Sequence, residues 1–569
     1  MIKKILVAAL FLVQPLRALA SSATGEIDGF VADHAANMAA ASIAVFSQDD
    51  VLYEENHGYI DLENGIANSE EAVFEWGSVT KLLVYVSVLQ LAEQGLLDLD
   101  AYITDYLPAG FTFDFPITIM NLLDHTAGFQ EMFIELRVHD DKDVRELGEQ
   151  LLRTQPPQIF EPGTHHAYSN WGTALAGYIV SLVSGLPFYQ YVHEHIFQPW
   201  GLTQTALRPD LSDNEWVRAR RELTNSYTTT LTNRGTQRWI IPLYPAGQAT
   251  GTLADFRKFG QGLLEFFQAR PHLHTPTSLQ PDGVTGRFYH GFFAMPHLQG
   301  QVIGHGGNTG MTAMLLIDIE RGFGTAVLTN QLSEVTFNVQ MLPLIFGMAD
   351  LSLFDNSRNE SQLSGIFMQA QRIERGFLRM ANVARIVPIF QDSDGTIQTM
   401  GPQAAPGVID ATDMAPFLAF QGRNDTGQGY LTMGPIDFLR LSWGEFILMA
   451  FLLIALLVAA LFAVVRLIVL AVKALRKKAV AGSCSATVIC LGMLLLFANL
   501  LATINSTMSM QANLTSAMVN GLLFIGLTLM IASGIGYHFK TLRRLTFTSS
   551  FGILVLANVI YWELWRFWV

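Results

Sequence analysis

From Phe446 to Val465 the chain runs for twenty residues with only apolar side chains. At about 1.5 Å of helix rise per residue, such a run spans the ~30 Å hydrocarbon core of a bilayer. Three further runs lie near Ala486–Ile504, Ala517–Tyr537 and Ser549–Trp568, the last weakened by Glu563 and Arg566. Lipid cannot hydrogen-bond a backbone, so runs of this length fold as helices that satisfy their own N–H and C=O groups. Residues 446–569 are therefore expected to form a membrane anchor of about four transmembrane helices. Composition agrees, with 50% hydrophobic and only 15% charged residues. The few charges among these runs (Arg466, Glu563, Arg566) lie near their ends, a pattern of anchoring rather than of an ion or substrate path.

Loop charges orient the spans. Lys473, Arg476, Lys477 and Lys478 follow the first run, and Lys540, Arg543 and Arg544 follow the third. Positive loops stay cytoplasmic, which puts everything before Phe446 on the periplasmic or extracellular side. The N-terminus predicts the same. Lys3 and Lys4 precede an apolar stretch from Ile5 to Val13, and Ala18-Leu19-Ala20 supplies a small-residue cleavage site. Residues 1–20 read as a secretory signal peptide.

The net charge is −14, yet from Arg440 onward ten basic residues face two acidic ones, which leaves −22 on the preceding chain. An acidic exported part repels phosphates, so nucleic acid is not an expected partner. Both cysteines, Cys484 and Cys490, fall at the second run, so the exported part must be held by its own core, without disulfides.

Residues 24–345 read as one mixed α/β unit. Strands are expected at Ala40–Ser47, Gln301–Ile303, Ala313–Ile319 and Thr325–Thr329. Helices are expected at Val79–Gln94, ended by Gly95, and at Trp171–Val183, closed near Gly185. With strands at both ends and helices between, the prediction is an antiparallel sheet flanked by helices. Residues 355–440 hold short β-type stretches broken by turn signals at Asp394-Gly395, Gly401-Pro402, Asn424-Asp425 and Gly427-Gln428-Gly429. They predict a small β-rich domain.

Four short motifs carry candidate chemistry. In Ser78-Val79-Thr80-Lys81, helical spacing puts residues i and i+3 on one face, so the lysine amine reaches the serine hydroxyl. A desolvated lysine has a lowered pKa and can take the serine proton. Tyr168-Ser169-Asn170 offers a phenol that ionises more easily beside an ammonium and can shuttle a proton, although Ser169 or Asn170 also reads as an ordinary helix N-cap. In His305-Gly306-Gly307-Asn308, the glycines allow close backbone approach, and the Asn308 N–H can pair with that of Ser78 as an oxyanion hole. His305 is a candidate contact for a substrate carboxylate or for the tyrosine. Leu122-Leu123-Asp124-His125-Thr126-Ala127-Gly128 reads as scaffold at the rim of the cleft, with His125 structural.

Together these motifs resemble the serine β-lactamase and penicillin-binding protein family, in its class C β-lactamase, D-aminopeptidase and esterase-like branch. Ser78 and Lys81 match that family's nucleophile and lysine, and Tyr168 and Asn170 its Tyr-x-Asn motif. His305-Gly306-Gly307 falls where the family has Lys-Thr-Gly or His-x-Gly. Leu122–Gly128 matches Leu-Leu-x-His-Thr-Ser-Gly, with Ala127 for serine. Pro245-Ala246-Gly247 and Leu253-Ala254-Asp255-Phe256 resemble another family stretch. The resemblance spans about residues 25–345. It implies a β-lactamase-like fold and acyl transfer through Ser78, with Lys81 and Tyr168 moving protons and no cofactor. Substrate contacts fall to Asn170, His305, Gly306, Gly307 and Asn308. The departures are His305 for the lysine and Gly306 for the hydroxyl residue that help hold a substrate carboxylate, so the leaving group stays open.

The expected partners are a small peptide, amide or ester substrate and membrane lipid around the C-terminal helices. Two alternatives share the motifs. One is a periplasmic peptidase that removes an N-acyl-D-amino acid from a natural-product precursor. The other is a catalytically weak penicillin-recognising sensor. The His165-His166 pair and the His193-Glu194-His195 run lack a His-Glu-x-x-His motif, so no metal site is expected.

Overall fold

The computed structural model describes residues 24–132, 134–357, 364–392, 403–405, 408–410, 417–424, 428–478, 482–508, 514–542, 545–564 and 566. The signal-peptide segment lies outside these residues, as do the turn signals Asp394-Gly395 and Gly401-Pro402 and most of the loop at 425–427.

A nine-stranded antiparallel sheet forms the centre of the first unit. Its strands are β1 (Ala40–Ser47), β2 (Val51–Asp61), β3 (Ile66–Ala67), β4 (Ser278–Leu279), β5 (Gly286–Tyr289), β6 (Phe292–Ala294), β7 (Val302–Asn308), β8 (Thr312–Asp318) and β9 (Phe323–Thr329). The spatial order is β3-β2-β1-β9-β8-β7-β6-β5-β4. N-terminal β1 pairs with β9 from Ala41↔Thr329 to Ser47↔Phe323, so the two ends of the unit close one sheet, as their patterns predict. Both faces of β1, β8 and β9 are covered, which is why these strands are apolar or small at nearly every position.

Three helices stand on one face: α1 (Lys81–Glu93), α2 (Asn170–Ser184) and α3 (Leu253–Gln268). Phe256 and Phe259 of α3 share a core with Phe46, Leu315 and Leu328 of the sheet. The opposite face is covered by the N-terminal helix at 24–34 and by residues 336–346, through Ile27, Val31, Phe337 and Phe346. Helix α1 is buried all round. It therefore shows no amphipathic stripe and acts as a central post.

A second, seven-stranded antiparallel sheet follows. It comprises β10 (Ser364–Gln369), β11 (Ile386–Phe390), β12 (Gln403–Ala405), β13 (Val408–Asp410), β14 (Leu418–Arg423), β15 (Gly429–Met433) and β16 (Ile436–Leu441), in the order β11-β10-β16-β15-β14-β13-β12. The β15–β16 hairpin docks on the first unit. Ile436 bridges Ala167, and the Asp437 N–H donates to the His166 carbonyl at 3.0 Å. The Asp437 carboxylate accepts the His166 N–H at 2.9 Å and meets Arg287 at 2.8 Å. That last contact is a charge pairing without hydrogen-bond alignment, and both side chains are under 5% exposed.

The C-terminal helices are α4 (Trp443–Leu475), α5 (Ser483–Met508), α6 (Leu514–Leu542) and α7 (Phe547–Tyr561). Among the described residues, three helices beginning at Trp443, Ser483 and Thr515 are long and apolar enough to cross a membrane. The fourth apolar run forms only a 15-residue helix, about 22 Å long at 1.5 Å per residue. Even so, its end returns to the segment between β10 and β11. Arg379 donates to the Tyr561 carbonyl at 3.1 Å, and the Gly376 N–H donates to Glu563 at 2.9 Å. Glu563, which weakens that run as a span, thus serves as an anchor point.

Removing one partner of the Arg287–Asp437 pair strands a buried charge, which costs about 3–5 kcal/mol. Asp437→Ala is expected to lower unfolding stability by that amount in denaturant titrations of the detergent-solubilised chain. A loss below about 1 kcal/mol would contradict the docking described.

Candidate active site

The strand Phe74–Glu75 leads through Trp76 into a 3₁₀ turn, Gly77–Thr80, which continues as α1. Ser78 therefore sits on the turn and Lys81 opens the α-helix, slightly later than the sequence pattern predicts. The Lys81 Nζ donates to Asn170 Oδ1 at 2.8 Å and to the Ala246 carbonyl at 2.6 Å, and it lies 3.0 Å from Ser78 Oγ, whose hydroxyl a neutral amine meets with its lone pair. Lys81 is fully buried, whereas Ser78 is partly exposed. Burial pushes the amine well below its ordinary value of 10.5, and the Glu131 charge only partly opposes this. The neutral amine is the better proton acceptor.

Ser169 caps α2 by accepting the Gly172 N–H at 3.0 Å. Ser169 is the cap, which leaves the Asn170 side chain free to accept from Lys81. Tyr168 lies against Lys81, with the amine 4.9 Å from the ring centroid. Its phenol is pushed up rather than down, first by burial, although a hydrogen bond with Ser78 pulls the other way. The expectation of an easily ionised tyrosine is thus corrected. Burial of the phenol outweighs that hydrogen bond, and the Glu131 charge adds to the rise.

His125 is buried beneath Tyr168, ring centroids 4.4 Å apart, rather than at the cleft rim. Its Nδ1 accepts the Ser169 N–H at 3.2 Å, which leaves Nε2 protonated toward the Tyr85 hydroxyl at 3.3 Å. Its predicted structural role fits these contacts: it positions the tyrosine loop.

The segment His305-Gly306-Gly307-Asn308 is part of β7 itself, where the sequence read it as a stretch just after a strand. Glycines normally weaken a strand, but here they let it press on the serine turn. A Cβ on Gly307 would overlap the Trp76 carbonyl oxygen, and one on Gly77, at φ +53°, would lie 2.8 Å from the Asn308 nitrogen. The Ser78 and Asn308 backbones are thereby held side by side. His305 is only 2% exposed and stacks on Phe293 at 4.2 Å. Burial and the neighbouring Lys81 push its pKa down to about 3. A neutral, buried imidazole is not placed to meet a substrate carboxylate, contrary to one of its two expected roles. The other is closer to the structure, since its ring lies 6.1 Å from that of Tyr168.

Ser78, Tyr168, Asn170 and Asn308 line one cleft of about 600 Å³. His305, Gly306 and Gly307 sit behind its wall. Several residues that no motif flags complete the setting. Glu75, 3% exposed, accepts from Arg221 at 2.8 Å and from the Thr309 hydroxyl at 2.6 Å, tying the serine turn to the end of β7. Glu131 contacts Gln371 and Arg385 of the second unit. Among the described residues no group of three or more His, Cys, Asp or Glu side chains is placed to hold a metal. Instead His193 pairs with Asp213 at 2.9 Å, and His166 lies against Asp437.

Gly307→Ala is expected to push β7 off the serine turn. Labelling of Ser78 by a fluorophosphonate should slow by about 10²-fold or more, the scale of losing an oxyanion donor, with unchanged circular dichroism. An unaltered labelling rate would overturn the close-approach argument.

The family model named beta-lactamase matches residues 27–347, just over half of the chain. The chain is 31% identical over 175 residues to penicillin-binding protein 4 of Amycolatopsis lactamdurans, covering 30% of this chain and 45% of that protein. It is 32% identical over 169 residues to esterase EstB of Burkholderia gladioli, covering 27% and 43%. The chain spans about half or less of the length of the curated relatives it matches. The crystal structure of SurE shares the fold at a TM-score of 0.50 and 17% identity, covering 74% of this chain and 99% of that one. On its β-lactamase-like fold and the family match, this chain belongs to the beta-lactamase family of serine hydrolases.

Proposed function

We propose that this protein is a membrane-anchored, exported serine hydrolase that cleaves an amide or ester through a covalent acyl-Ser78. The observation that carries the reading is the buried Lys81 amine, 3.0 Å from Ser78 Oγ. In this scheme the Ser78 proton passes to Lys81 as Oγ bonds to the substrate carbonyl carbon. The Ser78 and Asn308 N–H groups receive the oxyanion. As the tetrahedral intermediate collapses, the leaving amine or alkoxide takes the Tyr168 proton, and Lys81 re-supplies the phenol. Water then yields a proton to the same pair while its oxygen attacks the acyl carbon, and Ser78 leaves with a proton restored. Asn170 keeps the amine aimed at Ser78.

Export and anchoring rest on the signal-peptide pattern of residues 1–20 and on the three long apolar helices. Lys473, Arg476, Lys477 and Lys478 mark the cytoplasmic side by the positive-inside rule. Cysteines introduced at Lys477 and at exposed Leu353 test sidedness in intact cells. An impermeant maleimide is expected to label position 353 and spare position 477; the reverse pattern would contradict the topology.

The chemistry predicts a pH profile. A depressed Lys81 pKa leaves the base free once pH rises through that lowered value, so kcat/KM climbs on an acid limb far below 10.5. Tyr168, raised from 10, adds no fall across the neutral range. Lys81→Met and Tyr168→Phe should each lower kcat/KM by about 10²–10⁴-fold. An acyl adduct on Ser78 in intact-mass spectra, absent in Ser78→Ala, checks the intermediate. Hydrolysis that survives Ser78→Ala would sink the reading.

A further inference from the structure

Two cations line the cleft in front of Ser78: Arg137 and Arg234. Arg137 lies with its guanidinium 4.8 Å from the centroid of Trp239, which fixes its position. Arg234 comes from the short strand Asn233–Gly235. Burial disfavours the charge on Arg137 most, the nearby Arg234 disfavours it further, and the Glu75 charge only partly offsets the two. Among the described residues, no carboxylate lies within 4.0 Å of either guanidinium and neither makes a hydrogen bond; Glu75 acts on Arg137 only from farther away.

That arrangement stands out against the rest of the chain. With 49 acidic and 35 basic residues, carboxylates are abundant. Other arginines find them, as Arg221 does with Glu75, Arg287 with Asp437 and Arg321 with Asp318. Yet no acidic side chain lines this cleft. Nor does another positive charge serve it. Lys81 is fully buried and engaged by Ser78, Asn170 and the Ala246 carbonyl, and His305 is neutral behind the wall.

Arg137 is half-buried and Arg234 exposed at the mouth of the same cleft; two like charges facing one cleft repel, and an anion placed between them relieves that repulsion. A guanidinium is a planar fork that matches a carboxylate with two parallel hydrogen bonds. Stacking on Trp239 removes part of the rotamer entropy that an arginine otherwise loses on binding. Ile241, Leu243 and Leu332 supply apolar wall beside these cations.

We propose that Arg137 and Arg234 bind a carboxylate carried by the substrate, so that the Ser78 site selects anionic amides or esters. The proposal rests on the acyl-serine reading and names its substrate class.

The test uses two ester pairs matched in shape. One is 4-nitrophenyl hydrogen glutarate against 4-nitrophenyl pentanoate, with the carboxylate on the acyl side. The other is 3-carboxyphenyl butanoate against phenyl butanoate, with the carboxylate on the leaving side. The full chain is expected to favour the anionic member of at least one pair by tenfold or more in kcat/KM. Raising salt from about 50 to about 500 mM should shrink that ratio. The double variant Arg137→Gln, Arg234→Gln should bring it near one. Equal kcat/KM within both pairs, with measurable turnover, overturns the proposal and leaves the acyl-serine reading standing. Should the full chain turn over none of the esters, the acyl-serine reading fails. Calorimetric titration of the Ser78→Ala protein then decides the proposal. Tenfold tighter binding of an anionic ester, lost on adding the arginine substitutions, supports it; equal binding overturns it.

Discussion

A buried lysine amine, held well below its ordinary pKa, organises everything around Ser78. Lys81 Nζ takes its three oxygen partners from three places: the serine turn, the start of α2 at 89 residues' separation and the Tyr244–Ala246 turn at 165. A buried ammonium without a carboxylate beside it is costly, so the site is stable with the amine neutral. That state is also the one that can accept a proton from serine. The requirement for burial and the requirement for basicity thus coincide, and the sheet, α1 and α2 serve to keep water from the amine while leaving Ser78 at the cleft.

The second sheet is part of this arrangement rather than an appendage. Its Asp437 grips His166, two residues before Tyr168, and meets Arg287 from the floor of the first unit. Its Gln371 and Arg385 hold Glu131, whose charge bears on Lys81. Phe417 packs near Phe293, which in turn stacks on His305. The far side of the same sheet shares a core with the C-terminal helices, through Met368 and Met380 against Met449 and Trp562. Helices, small sheet and tyrosine loop are therefore mechanically continuous.

The parts of the site legible in the sequence are those set by local geometry. Ser78 and Lys81 are three apart on a helical turn, and Tyr168 and Asn170 flank a cap. Apolar runs give the long helices, and alternating ends of one unit give β1 and β9. What escaped sequence reading is long-range. The strand character of residues 305–308 depends on glycines meeting a turn more than 200 residues away, and a local reading sees only glycine-rich backbone. Glu75–Arg221, Arg287–Asp437 and the unpaired Arg137 and Arg234 carry no motif, because an ion pair or its absence is decided by which segments fold together. The tyrosine's ionisation runs opposite to the expectation, since the sequence shows a lysine nearby but not that the phenol itself is buried.

The most direct test of this account is the titration of Lys81 itself. Carbon-13 NMR of lysine side chains in the solubilised chain, with the Lys81 resonance assigned by its loss in Lys81→Met, reads the ionisation of that one amine. The account predicts a midpoint displaced far below 10.5, so that the amine is neutral while surface lysines remain charged. A Lys81 signal that titrates with the surface lysines would contradict it.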